Sequence, residues 1–199
     1  MYLQDSMLRD LIAKRALVVE PYEPRHVGPD GIDLTVGPVC WRWQTEPGMV
    51  TAFTPKVLGQ ITEADMVREG YGPGEVIVLA PQEMVILSTA EWVEIPTDLV
   101  GFLSNKSTTA RSGVFMHLGA GHIDAGFKGR ITMEALNTSP FPIKVPVGVR
   151  AATLLLARLM GPAERPYGSE GLGSRYHLQT EAQPARPERS YWDIPGRKV

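Results

Sequence analysis

The chain reads as mainly β with a few short helices. Its 20 glycines and 17 prolines are dispersed along 199 residues rather than gathered in one linker. Punctuation that frequent divides a chain into many short strands. Helical periodicity surfaces in short stretches only, and apolar segments of strand length run between the breaks.

The first helix is predicted over Ser6–Arg15, where Ser6 can cap and Met7, Leu8, Leu11 and Ile12 share one face. Strands follow at Gly31–Val36 and Val39–Trp43. Thr62 caps a second predicted helix, Glu63–Glu69, with Glu63 and Asp65 in its first turn and Gly70 as its stop. Further strands are predicted at Glu75–Leu79, Met84–Thr89, Leu99–Leu103, Val114–Leu118, Arg130–Leu136 and Pro142–Val145. In Val149–Met160, Ala, Leu and Arg favour helix, but Gly148 and Gly161-Pro162 bound a segment short enough for a buried strand. We read it as a strand. Residues 168–174, GSEGLGS, are glycine-rich and expected to be mobile. The folded domain is expected to span residues 1–180. Residues 181–199 read as a frayed tail or as an arm on a neighbouring subunit, with Tyr191, Trp192 and Ile194 as its anchors.

Composition narrows the function classes. The length suits one domain with a real core, and 43% hydrophobic with 21% charged residues places the chain among globular proteins. No apolar run reaches the roughly 18 to 20 residues of a membrane span. The N-terminus, MYLQDSMLRD, lacks the basic and then apolar pattern of a secretory signal, so a cytoplasmic location is expected. A single cysteine, Cys40, excludes an internal disulfide and a zinc site built on several thiolates. A formal net charge of −2 removes the bulk basic field expected of a nucleic-acid coat, so anionic ligands must bind at a local site. The four histidines, His26, His117, His122 and His177, show no metal-ligand spacing. His122, beside Asp124, is the one placed to touch a ligand.

The chemistry concentrates between Ser104 and Asn137. Directly after an apolar strand, SNKSTTARSG crowds Lys106, Ser107, Thr108, Thr109, Ala110 and Arg111 together. Hydroxyls and backbone N–H groups beside cations hold phosphate oxygens by charge-assisted hydrogen bonds, although a solvated Ser/Thr loop has the same composition. In AGHIDAGFKGRITMEALN, glycine-bounded turns flank Asp124, and Glu134 stands among Met133, Ala135 and Leu136. A carboxylate there is either solvent-facing on the polar side of the strand or functional.

KSTTARSG, GAGHIDAGF and GRITMEALN, with GPAERPYG and RYHLQ downstream and GIDLTVG upstream, resemble the dCTP deaminase family, which shares its fold with the trimeric dUTPases. The similarity runs from about Leu8 to Gln179. It implies a distorted antiparallel β-barrel or sandwich of the dUTPase type. It also implies a homotrimer with active sites between subunits, where Arg111 or Ser107 acts across the interface. Glu134, five residues after Gly129, stands where dUTPases carry an apolar residue and deaminases a glutamate. The glycine-rich C-terminal motif of dUTPases is absent. The deaminase branch therefore fits better.

The reaction implied is hydrolysis of dCTP to dUTP and ammonia. The His-x-Glu and Pro-Cys-x-x-Cys signature of zinc deaminases is missing, so a general base must activate the water. Glu134 is the candidate base and proton shuttle. The resemblance places Ser107 and the Ala120 backbone around the attacked carbon, and Arg111 beside the glutamate. It assigns Lys106, Ser107, Thr108, Thr109, Ala110 and Arg111 to the phosphate and active-site loop, Asp124 to the deoxyribose 3′-hydroxyl, and Phe127 to the sugar. Thr132, Met133 and Glu134 would line the base, while Tyr167, Arg175 and Gln179 would close over the triphosphate as a lid. Magnesium would enter with the triphosphate.

Departures from the family pattern are Ala125 where proline is usual, Arg175 for lysine, and the ending TEAQPARPE. The alternative reading is a bifunctional enzyme that continues to dUMP and pyrophosphate, with Asp124 positioning a second water. A second alternative is a non-catalytic nucleotide-binding regulator. A plain β scaffold would leave these side chains exposed and unconnected.

Overall fold

The computed structural model describes residues 1–44 and 61–186. In chain order its elements are α1 (Asp5–Ala13), β1 (Val18–Glu20), β2 (Gly31–Trp43), β3 (Met66–Gly70), β4 (Val76–Leu79), β5 (Met84–Glu94), β6 (Leu99–Asn105), α2 (Ser107–Arg111), β7 (Val114–Phe115), β8 (His122–Ile123), β9 (Lys128–Asn137), β10 (Ile143–Pro146) and β11 (Arg150–Arg158). Short 3-10 turns lie at Pro24–His26 and Glu63–Asp65. The predicted mainly β, antiparallel, barrel-like fold is the one observed.

One sheet of nine strands carries the order β7-β9-β5-β2-β11-β6-β8, with β1 added on β5 and β3 on β2, while β10 and β4 form a separate antiparallel pair. β2 curls the sheet. Its first half pairs with β11 and its second half with β5 and β3. Two separate strands were expected here, but Gly37-Pro38 bends the strand without ending it. Gly37 permits this because a Cβ would stand 2.9 Å from the carbonyl oxygens of Ser88 and Thr89. Inside the curl lie Leu8, Leu17, Ile32, Leu34, Leu87, Ile131, Met133 and Leu154, all buried. A second apolar cluster of Val39, Trp41, Met66, Ile86 and Ala182 covers another part of the sheet.

Several local expectations change. Ser6 lies inside α1 rather than capping it. Gln4 is the N-cap and makes no side-chain cap bond, and Met7 is exposed while Leu8 is buried. The predicted Glu63–Glu69 helix exists only as a 3-10 turn, whose Thr62 cap is real: Thr62 Oγ1 accepts from Ala64 N at 3.3 Å. From Met66 onward the chain pairs with β2 instead, because an isolated helix of that length does not outweigh an open sheet edge. The Val114–Leu118 strand stops at Phe115, since the Asn105 side chain takes over the backbone: Met116 N donates to its Oδ1 at 2.7 Å and His117 N at 3.1 Å. Val149–Met160 forms a strand, as read, over Arg150–Arg158.

Residues 168–174 form consecutive turns, and Gly168 N donates to Ser174 Oγ at 2.8 Å. Glu181 and Ala182 pack back on the same chain. Arg68 holds Glu181, and Trp41 Nε1 donates to the Ala182 carbonyl at 2.9 Å. The proposed anchors Tyr191, Trp192 and Ile194 lie outside the described residues. No helix among the described residues is long and apolar enough to cross a membrane.

Candidate active site

Strand β9 builds the floor of the site by simple alternation. Ile131, Met133 and Ala135 are buried, while Thr132 and Glu134 are half-buried on the opposite face. Met133 therefore belongs to the core, and its side chain does not line the base as expected. Glu134 lies opposite Ile86 on β5, and Ile86 opposite Trp41 on β2, so the carboxylate emerges from an apolar platform.

Above that platform opens a cavity of about 590 Å³. Of the predicted residues it gathers Glu134, Thr132, Ala120, Asp124, Phe127, Tyr167, Arg175 and Gln179. Ala120 comes from just before β8, Asp124 and Phe127 from the turn between β8 and β9, Thr132 and Glu134 from β9, and Tyr167, Arg175 and Gln179 from the segment after β11. In the turn, Phe127 N donates to the Asp124 carbonyl at 3.1 Å and Gly126 N to that of Ile95 at 3.1 Å. Asp124 Oδ1 stands 3.3 Å from His122 Nε2, and His122 lines the cavity too. Ala125 serves in place of proline because Tyr167 N donates to its carbonyl at 2.8 Å, which fixes the turn from outside. Phe127 and Tyr167 are in ring contact at 5.9 Å, as are Tyr167 and His177.

The segment after Tyr167 roofs the cavity. Tyr176 N donates to the Tyr167 hydroxyl at 3.0 Å, and burial, with the Asp124 charge adding to it, raises the Tyr167 pKa above the usual phenol value. The Arg186 guanidinium reaches the Arg175 carbonyl. Gln179 is buried and registers directly on β9. Arg130 N donates to its carbonyl at 2.9 Å, and its Nε2 donates to Thr132 Oγ1 at 3.0 Å and to the Arg130 carbonyl. Gly129, with φ +147, makes room, since a Cβ there would lie 2.9 Å from the Gln179 carbonyl oxygen. Gln179 thus sits at the strand beside Thr132 rather than at the tip of a lid. Two amide oxygens, Gln179 Oε1 and Gln183 Oε1, are buried with no hydrogen-bond partner among the described residues.

The loop after β6 takes a different course. Ser107, Thr108, Thr109, Ala110 and Arg111 form α2, and no described residue of 104–119 lines the cavity. Ser107, Thr108 and Arg111 are exposed. Lys106 points back to the sheet, its Nζ donating to Asp33 Oδ1 at 2.6 Å, while Thr153 and Arg150 also bind that carboxylate. Burial would raise the Asp33 pKa, but the Lys106 bond outweighs it with help from Thr153 and Arg150, so it lies below the usual carboxylate value. Within one chain, then, Ser107 and Arg111 do not meet Glu134.

Sequence reasoning missed Ile86, Met84, Met66, Trp43, Gln183 and Arg186, which also line the cavity. Only strand register shows that Ile86 faces Glu134. Among the described residues no group of three or more His, Cys, Asp and Glu side chains is arranged to hold a metal ion. Cys40 is buried, and burial pushes its pKa up to about 12, so it is a protonated core residue.

Comparison with known proteins bears on the family and the fold. The family model described as dCTP deaminase-like matches residues 2–159. A "dCTP deaminase, dUMP-forming" from Thermobifida fusca is 36% identical over 201 residues, covering 100% of this chain and 97% of that protein. A protein of the same name from Mycolicibacterium smegmatis is 36% identical over 193 residues, 96% of this chain and 98% of its own. Among solved structures, the 2′-deoxycytidine 5′-triphosphate deaminase from Agrobacterium tumefaciens shares the fold with a TM-score of 0.60 at 23% identity, over 78% of this chain and 47% of that one.

Proposed function

The chain belongs to the dCTP deaminase-like family, and on that premise we propose that it deaminates dCTP and hydrolyses the resulting dUTP to dUMP and pyrophosphate. From the residues alone, release of dUTP is the first reading. The relatives named as dUMP-forming weigh toward the bifunctional alternative. The observation that carries the deaminase reading is Glu134, an acid on an apolar platform that opens into the cavity containing Asp124 and Thr132.

In the first step Glu134 accepts a proton from water as its oxygen bonds to C4 of the cytosine ring. The carboxylic acid then protonates N3, and a further transfer to the amine lets ammonia leave as the C4–N bond breaks. Thr132, oriented by Gln179, and the Ala120 backbone border the ring. In the second step, water attacks the α-phosphorus and pyrophosphate departs, with Asp124 positioning that water. Asp124 supplies one carboxylate beside the phosphates, which suits magnesium held mainly by the nucleotide. When bound, the ion offsets the triphosphate charge.

Ser107 and Arg111 lie on an exposed helix outside their own chain's cavity. This supports a homotrimer in which each subunit lends them to a neighbour's Glu134, so that Arg111 stabilises the ionised carboxylate.

Replacement Glu134→Gln is expected to abolish ammonia release from dCTP while leaving nucleotide binding measurable by calorimetry. Undiminished turnover in that variant would reject the mechanism. Product chromatography with magnesium present separates the two outcomes for the native enzyme: dUMP with pyrophosphate supports the bifunctional reading, and accumulating dUTP rejects it.

A further inference from the structure

Helix α2 has five residues, far short of the roughly 12 at which a helix begins to hold itself in water, so its direction is set by what grips its two ends. At its far end Thr138 N and Oγ1 both donate to the Gly113 carbonyl, at 2.8 and 3.0 Å. At its near end Lys106, the residue before Ser107, reaches back across β11 to β2, where Asp33 Oδ1 accepts from its Nζ at 2.6 Å. Asp33 stands opposite Thr153 on β11, and Thr153 opposite Ser104 on β6. The bond therefore ties the chain leaving β6 to a row of three paired strands. Thr153 Oγ1 donates to the same Oδ1 at 2.9 Å, and Arg150 Nη1 to Oδ2 at 3.2 Å. Ile32 and Leu34 face the core, so Asp33 lies on the other face of β2, yet its side chain is only 15% exposed and that of Lys106 27%. The Lys106 ammonium is thus engaged, whereas the side chains of Ser107, Thr108, Thr109 and Arg111 make no hydrogen bond among the described residues.

We propose that Asp33 and Lys106 form a strut that aims α2, so that both serve the site as positioning residues and Lys106 is not a phosphate ligand. The inference rests on the reading that α2 lends Ser107 and Arg111 to a neighbouring Glu134. A charge-assisted bond at the root of a short helix fixes where the residues along it point. Misplacing a reacting group by about 1 Å costs on the order of a hundredfold in rate, so loss of the strut reads out in kcat. A phosphate contact made equally in the ground and transition states reads out in KM instead.

The experiment follows ammonia release over a range of dCTP concentrations. Lys106→Met and Asp33→Ala are each expected to lower kcat at least about tenfold, with KM changed by less than about threefold. The double variant should lose no more than the worse single one, since both remove the same strut. Lys106→Arg, whose guanidinium still pairs with a carboxylate, should restore most of the native kcat. Arg150→Met takes a different cation from Asp33 without touching α2 and should keep the native kcat. Amide hydrogen exchange needs no turnover. The amides of Ala110 and Gly113, bonded to the Lys106 and Ala110 carbonyls at 3.0 Å each, should exchange faster in Lys106→Met than in Arg150→Met. Cooperative urea unfolding reports that each variant is folded, and Lys106→Gln stands in where Lys106→Met is not. The inference is overturned if Lys106→Met raises KM with kcat unchanged, if the two single losses add in the double variant, if Arg150→Met lowers kcat as far as Lys106→Met, or if exchange in α2 is the same in both. Full activity in Arg111→Ala would instead overturn the reading of α2 as part of the site.

Discussion

At Gln179 one amide ties the C-terminal segment to β9, the strand that presents the Glu134 carboxylate to the cavity. Its Nε2 serves both Thr132 Oγ1 and the Arg130 carbonyl. Gln179→Ala leaves both groups buried without that donor, and the expected loss is about 1–3 kcal/mol in urea unfolding. Asp33 makes a different prediction. Its folded pKa is depressed, so its ion pairing stabilises the fold above the unfolded value of about 3.9 and is lost as pH falls through the folded value. The stability gap between the native chain and Lys106→Met should therefore be present at pH 7 and close in acid, as followed by denaturant titration across pH. Glu134 was legible as a candidate in the sequence because it follows a hydroxyl-rich loop and an aspartate turn in the order that the family resemblance requires; the strand pattern alone left a solvent-facing acid open. Lys106 was not. Its composition suits a phosphate loop, and only the fold brings Asp33, 73 residues away, within hydrogen-bond reach.

At the scale of elements, β9 separates chemistry from support. Met133→Ala should cost about 2–5 kcal/mol in stability, as a buried cavity does, while the native-state fraction retains activity. The end of the roof is tied to β2 through Trp41. Trp41→Phe removes the indole donor to the Ala182 carbonyl, and hydrogen exchange in residues 180–186 is expected to accelerate while that of β2 stays protected. Strands bounded by turn residues, such as β6, β9 and β11, were readable from their punctuation and apolar character. The strand at Met66–Gly70 was not, because its local signals favour a helix and only the unpaired edge of β2 overrules them. Helix α2 was hidden for a different reason: five residues of hydroxyls, alanine and arginine have no periodicity to read.

At the scale of the whole molecule, the separation of α2 from Glu134 predicts complementation. Glu134→Gln and Arg111→Ala are each expected to be inactive alone. Mixed after reversible dissociation, the two should recover part of the native ammonia release, because some interfaces then combine an intact Glu134 with an intact Arg111. No recovery in mixed oligomers would place both residues in one subunit's site. The sequence by itself determined the β-rich class and, through spaced motifs, the barrel-like fold and the family, and it singled out Glu134 as an acid within an apolar strand, since turn chemistry and strand composition are local properties. Tertiary structure alone decided that Met133 faces the core, that Gln179 bonds to β9, that Lys106 is taken by Asp33, and that Ile86 lies opposite Glu134. Those facts depend on which face each strand turns inward and on register between segments distant in the chain, and no local pattern of residues carries that information.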